Sequence, residues 1–289
     1  MTPSTPTGPS DHASFRSGPG GIVQVVDLHA GERSWEVAPG AVVHGYGFNG
    51  QVPGPVIEAT VGDRLLVQFS NGMDQPSTLV WESPSVAATP LSTSASHWVL
   101  PAESQQFEHT LTQPGAFLYW ATSPPDTPHT RGGPYGVLLV RDPGEARDDE
   151  ERILVVHHAQ LNAADQDEAP PPAPAVGRPG PLLLLINGVR HAAIDMSAGS
   201  RERWRILNAA TDVQLRLSLP PRPARRAGRE DRRPDCSDLL VPQASTSSPA
   251  GLDVQIGPFT RGQQVSLDAV FAANCPARQD WQLLSCQVI

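Results

Sequence analysis

The stretch YGFNGQVPGPVIEATVGDRLLVQFSN, Tyr46 to Asn71, decides the fold. Its Pro53-Gly54-Pro55 run sets an extended entry followed by a tight turn, because proline restricts its own φ and pushes the preceding residue out of the helical region. VIEAT (56–60) then alternates apolar and polar residues, Gly62-Asp63 carries hairpin-type turn chemistry, and RLLVQFSN (64–71) alternates again. Alternation with a period of two, over short runs bounded by Gly, Pro, Asn and Asp, is the signature of half-buried strands.

The same pattern extends in both directions. GIVQVVDLHA precedes it, and STLVWES, QQFEHTLTQPGAFLYWAT and YGVLLVRD follow. No segment holds a 3.6-residue apolar period over a dozen positions. The span from Ile22 to Val140 therefore reads as a β-sandwich rather than a βαβ fold. A load of 31 prolines and 25 glycines agrees, since such dense punctuation suits short strands and turns.

Beyond Val140 the composition shifts. RDPGEARDDEER is a charged connector, ILVV a buried-type strand, and NAADQDEAPPPAPAVGRPGP a proline-rich loop. LLLLINGV, ERWRILNAA, VQLRLSLP, GLDVQIGPF, QQVSLDAVF and WQLLSCQVI then form a second set of strands. The expected plan is an unstructured arm (1–20), a first sandwich (21–143), a connector with one strand (144–180) and a second sandwich (181–289). The arginine-rich run PPRPARRAGREDRRPD (220–235) reads as a solvated insertion in the second sandwich.

Charge and cysteine content narrow the function classes. The net charge is −9, from 30 acidic residues against 21 basic ones, all of them arginine. Such a balance gives no reason to expect nucleic-acid binding. No run approaches the roughly 20 apolar residues of a membrane span. The N-terminus shows no basic start followed by an apolar core, so no secretory signal is visible and the residues alone suggest a cytoplasmic protein. Cys236, Cys275 and Cys286 are too few for a disulfide scaffold, although Cys275 and Cys286 could close a C-terminal hairpin in an oxidising compartment.

The opening stretch resembles the start of the multicopper oxidases, at Asn49, Gly50, Gln51, Pro53, Gly54, Pro55, Ile57, Glu58, Gly62, Asp63 and Asn71. The second half is similar to the family's middle domain: LLLLINGV is followed by GSRERWRILNAA, and IGPFTRGQQVSLDAV comes later. The resemblance implies an all-β chain of two tandem cupredoxin-like Greek-key sandwiches.

In that family the first domain binds copper through two His-x-His pairs. Residues i and i+2 of a strand face one side, so both imidazoles of a pair reach one site. Trp81 matches the tryptophan inside the first pair, which puts those ligand positions on Val80 and Glu82. Gly115, Phe117 and Tyr119 align the second pair, whose positions fall on Trp120 and Thr122. Valine has no lone pair, tryptophan offers only an N–H, and threonine is a poor ligand. The family's third domain, with its His-Cys-His motif, has no counterpart before Ile289, and no cysteine here has a neighbouring histidine. The resemblance thus implies a degenerate member with no copper ligands, no catalytic residues and no cofactor. It would serve binding, assembly or scaffolding toward a protein partner or a small ligand, with oligomerisation open to it. The alternative is a copper-dependent oxidoreductase completed by another chain or domain. Members of the family generally work in the periplasm or outside the cell.

Trp81, Tyr119 and Trp120 are expected to fill the volume of the lost metals. A candidate pocket comprises Trp81, Glu82, His97, Tyr119 and Trp120, although Glu82 reads more simply as a surface carboxylate. His157-His158 ends the run ILVVHH; adjacent strand residues point to opposite faces, so one is expected inside and one outside. His44, His109 and His129 show no paired spacing, and neither does the conceivable set His97, His129 and Glu82. There is no G-x-S-x-G, no phosphate loop and no H-E-x-x-H.

Overall fold

The computed structural model describes residues 13–18, 21–82, 89–90, 98–124, 134–145, 150–160, 182–190, 192–210, 214–218, 240–241, 251–256, 264–270 and 281–288. Among the described residues every regular element is a strand. In the first part of the chain these are β1 (Ala13–Gly18), β2 (Gly21–Ala38), β3 (Ala41–Phe48), β4 (Val56–Thr60), β5 (Arg64–Gly72), β6 (Thr78–Trp81), β7 (Thr89–Pro90), β8 (Ser104–Thr110), β9 (Gly115–Thr122) and β10 (Tyr135–Arg141). The second part holds β11 (Glu151–Gln160), β12 (Leu182–Ile186), β13 (Ala192–Met196), β14 (Glu202–Asn208), β15 (Gln214–Ser218), β16 (Leu240–Val241), β17 (Gly251–Ile256), β18 (Gln264–Val270) and β19 (Trp281–Val288).

The chain divides into two compact units. The first contains most of the chain up to Glu145, and the second contains Ser34–Gly45 and the chain from Ala146 onward. In the first unit one sheet runs β1-β2-β5-β8-β7, with β3 also on β2, and the other runs β4-β10-β9-β6. Inward residues of the two sheets, among them Leu28, Phe48, Leu65, Phe69, Leu79, Phe107, Phe117, Tyr119 and Leu138, form a single buried core.

The second unit repeats this plan. Its sheets run β12-β11-β14-β17 and β13-β19-β18-β15-β16. The parallel pairs recur too, with β2 beside β5 and β4 beside β10 in the first unit, and β11 beside β14 and β13 beside β19 in the second. The turns match in backbone conformation. Asn49 and Gly50 have φ of 51° and 73°, and Asn187 and Gly188 have 48° and 84°. Two successive positive φ values define the turn type that favours Asn-Gly. The second unit also takes in the tip of the β2–β3 hairpin. Val37 and Val43 are buried with Ala159, Leu183 and Leu185, the Trp35 indole N–H donates to the Gly188 carbonyl (3.1 Å), and the Arg190 N–H donates to the Val37 carbonyl (2.8 Å).

Several expectations need correction. Gly62-Asp63 is not a hairpin turn, because β4 and β5 lie in different sheets; it is a corner. The Asp63 carboxylate ties that corner down by accepting from the N–H groups of Thr60 (2.8 Å) and Ile22 (3.0 Å) and from the Gln24 amide (3.2 Å). Ala13–Gly18, expected within an unstructured arm, pairs antiparallel with β2. β11, assigned above to a connector, is an inner strand between β12 and β14. The arginine-rich run and Cys275 lie outside the described residues.

Candidate functional site

The positions that should carry copper ligands fall on β6, β9 and the residue that follows β6. Trp81 pairs with Tyr119, Val80 with Trp120 and Thr78 with Thr122. Alternation then puts Val80, Trp120 and Thr122 on one face of the sheet, with Glu82 next along the same row. All three are half-buried. The four positions thus share one row, with Glu82 and Thr122 at its opposite ends on either side of the Val80–Trp120 pair.

Glu82 is the exception in environment. It is 0% exposed, so it is not the surface carboxylate expected from its residue type. Its backbone N–H donates to the Leu118 carbonyl (3.0 Å), as in an ordinary ladder, but the Leu118 N–H donates to the Glu82 Oε2 (2.9 Å). A carboxylate oxygen thus stands where the next backbone acceptor would be, and it closes the ladder at the point where β6 ends. A buried carboxylate without such donors would be costly.

The expected pocket does not form as drawn. Trp81 and Tyr119 face the opposite side of the sheet and belong to the core between the sheets, where their rings lie 5.2 Å apart. They cannot fill space on the Val80–Trp120 side, because adjacent strand residues point oppositely. Tyr119 is fixed at three points. Its hydroxyl donates to the Pro55 carbonyl (2.7 Å), its ring lies against Phe48 (5.2 Å), and it covers Gly136, where a Cβ would come within 2.3 Å of the ring. Burial pushes its hydroxyl pKa well up. Gly54 is required for a similar reason: a Cβ there would meet the Phe48 Cβ at 2.8 Å. His97 and His129 lie outside the described residues.

Among the described residues the remaining histidines do not converge. His157 and His158 are both buried, 3% and 6% exposed, where one was expected outside. β11 is a run buried on both faces, the environment of an inner strand with parallel neighbours. The His157 Nδ1 lies 3.0 Å from the His158 carbonyl and donates to it, and burial holds the His157 pKa down at about 3. His109 on β8 is 1% exposed and packs edge-on against Trp81 at 4.8 Å; burial lowers its pKa to about 4. Among the described residues no group of three or more His, Cys, Asp or Glu side chains could hold a metal ion.

One charged cluster escaped the sequence reading. Glu202, 1% exposed, accepts from Arg152 through both oxygens (2.5 and 3.1 Å) and from the Trp204 indole N–H (2.7 Å), while Arg205 pairs with Glu151. Burial alone would raise the Glu202 carboxyl, but the Arg152 guanidinium and the Trp204 N–H hold it below its usual range. Glu151 and Arg152 had looked like part of a charged linker. They are the first residues of β11 and tie it to its parallel neighbour β14.

This arrangement, two like sandwiches with one parallel pair in each of their sheets, defines a tandem cupredoxin-like β protein. Residues 30–145 match the family model described as multicopper oxidase. The chain is 25% identical over 173 residues to the iron transport multicopper oxidase fetC of Epichloe festucae, which covers 56% of this chain and 27% of that protein. It is 29% identical over 116 residues to the copper-containing nitrite reductase of Neisseria meningitidis (40% of this chain, 30% of that protein), and 27% identical over 184 residues to the cell division protein FtsP of Yersinia pestis (60% and 38%). The chain thus spans well under half the length of these relatives. Among solved structures, one multicopper oxidase superposes with a TM-score of 0.65 at 18% identity, over 96% of this chain and 94% of that one. A multi-copper oxidase from Pseudomonas thermotolerans gives 0.63 at 20% identity, over 93% and 64%. The chain is multicopper-oxidase-like, and at these identities the structural likeness establishes the fold.

Proposed function

We propose that this chain has kept the multicopper oxidase scaffold and lost the copper chemistry of its first sandwich, and that its two sandwiches serve a binding, assembly or scaffold role. The observation that carries the reading is the face of β6 and β9. The scaffold still aligns the four positions, but Val80 and Trp120 meet in register where two imidazoles would converge, Thr122 offers a weak donor, and the Glu82 carboxylate is engaged by the Leu118 N–H. A side chain without a lone pair cannot hold a redox metal, however well its strand is placed. The likeness to a relative named for cell division supports the assembly role in this reading.

A second reading follows from the other relatives, whose names denote copper enzymes. On that view another chain or domain supplies the missing ligands, and copper is the cofactor. Incubating the purified chain with copper and a phenolic or metal-ion reductant separates the two. The scaffold reading expects no copper-dependent oxidation, whereas turnover that scales with added copper would establish the oxidase reading.

A further inference from the structure

The core of the first sandwich contains polar atoms that the protein itself does not satisfy. Among the described residues, neither ring nitrogen of His109 and not the indole nitrogen of Trp81 has a hydrogen-bond partner, although both side chains are more than nine-tenths buried. The two rings touch, with centroids 4.8 Å apart and planes inclined at 62°. Buried polar groups in folded proteins are satisfied by protein or by ordered water in the great majority of cases, and a dry orphan is costly.

We propose that His109 and Trp81 hold one internal water molecule between the two sheets of the first sandwich. The donor set selects a neutral guest. Trp81 offers a single N–H and accepts nothing, while neutral His109 offers one N–H and one lone pair. Water complements this set, since it accepts from the indole and donates to the imidazole. A cation would face the indole N–H with one lone pair to bind it, and an anion would enter an apolar core with no positive charge to balance it. The Tyr119 hydroxyl, the other polar group of this cluster, is already committed to the Pro55 carbonyl. Leu65 lies opposite His109 on β5, and Phe107 is the neighbouring inward residue of β8, so the guest sits in an otherwise apolar setting.

A high-resolution crystal structure of the full chain tests this. The expected result is one ordered solvent peak within hydrogen-bond reach of both the Trp81 Nε1 and a His109 ring nitrogen, together with a water cross-peak to the Trp81 indole proton in solution. Two outcomes would overturn it: no density at that point, or a direct Trp81 N–H to His109 bond with no room between the rings. The His109→Phe variant provides an independent check. Losing the bridged site is expected to raise the unfolding constant at neutral pH tenfold or more, whereas an unchanged or smaller constant would mean that the site is dry.

Discussion

Asn49 and Asn187 perform one task in two sandwiches. The Asn49 Oδ1 accepts the His29 N–H at 2.7 Å and its amide donates to the Asp27 carbonyl at 2.9 Å; the Asn187 Oδ1 accepts the Val155 N–H at 2.8 Å and its amide donates to the Ile153 carbonyl at 2.8 Å. Each side chain therefore stands in for a strand partner, midway along β2 in the first unit and in the first half of β11 in the second. Asn71 and Asn208 form a second matched pair, accepting the N–H two residues on, from Met73 and Ala210. The asparagines among the residues that carried the resemblance are thus turn locks that serve the fold.

Replacing Asn49 or Asn187 with alanine removes two hydrogen bonds and puts at positive φ a residue that tolerates it less well than asparagine. Each substitution is expected to cost about 1–3 kcal/mol. Urea unfolding of the full chain measures it. Losses below about 0.5 kcal/mol, the scale of ordinary surface substitutions, would show that the locks are incidental.

Glu82 should behave as a structural acceptor. Glu82→Gln keeps an acceptor oxygen for the Leu118 N–H and is expected to be mild. Glu82→Leu leaves that N–H buried without it and is expected to cost roughly 1–3 kcal/mol. Chemical denaturation of the two variants checks this, and a leucine variant as stable as wild type would contradict the ladder-end role.

Acid should weaken both units. The folded-state pKa values of His109 (about 4) and His157 (about 3) lie below the unfolded value of 6.5. Below pH 6.5 the unfolded chain therefore binds protons that the folded chain refuses. Their contribution is fully present above that pH and declines by about 1.4 kcal/mol per pH unit for each group until the folded pKa is reached. Urea midpoints between neutral pH and pH 4.5 should fall for wild type, and should fall less steeply for His109→Leu and His157→Leu.

Ala102 occupies the third position of the turn Leu100-Pro101-Ala102-Glu103 with φ of 66°, and Glu103 closes the turn onto the Leu100 carbonyl. Proline second and positive φ third describe a turn that favours glycine. Ala102→Gly is expected to raise stability by about 0.5–1 kcal/mol, readable as a higher thermal midpoint; a lower midpoint would contradict the strain.

Much of the fold was legible because alternation is a local signal. The strands from Ile22 to Val140, the absence of long helical periodicity and the tandem plan all follow from it. Which strands pair is not local, so Gly62-Asp63 looked like a hairpin although its flanking strands lie in different sheets. At the candidate site, the residue identities at Val80, Glu82, Trp120 and Thr122 were readable, and so was their shared face. The pocket grouping erred by joining Trp81 and Tyr119 to that face, which alternation alone argues against. The burial of Glu82 was not readable, because it depends on the register that sets β6 against β9. Nor was that of His109, since a single histidine in an alternating strand carries no mark of what packs over it.

The central claim concerns copper at the first sandwich, and metal analysis of the chain purified after growth in copper-rich medium tests it most directly. A colourless protein without stoichiometric copper is the predicted result. A blue protein carrying copper in a fixed ratio to chain, lost when Glu82 or Thr122 is replaced, would contradict the account.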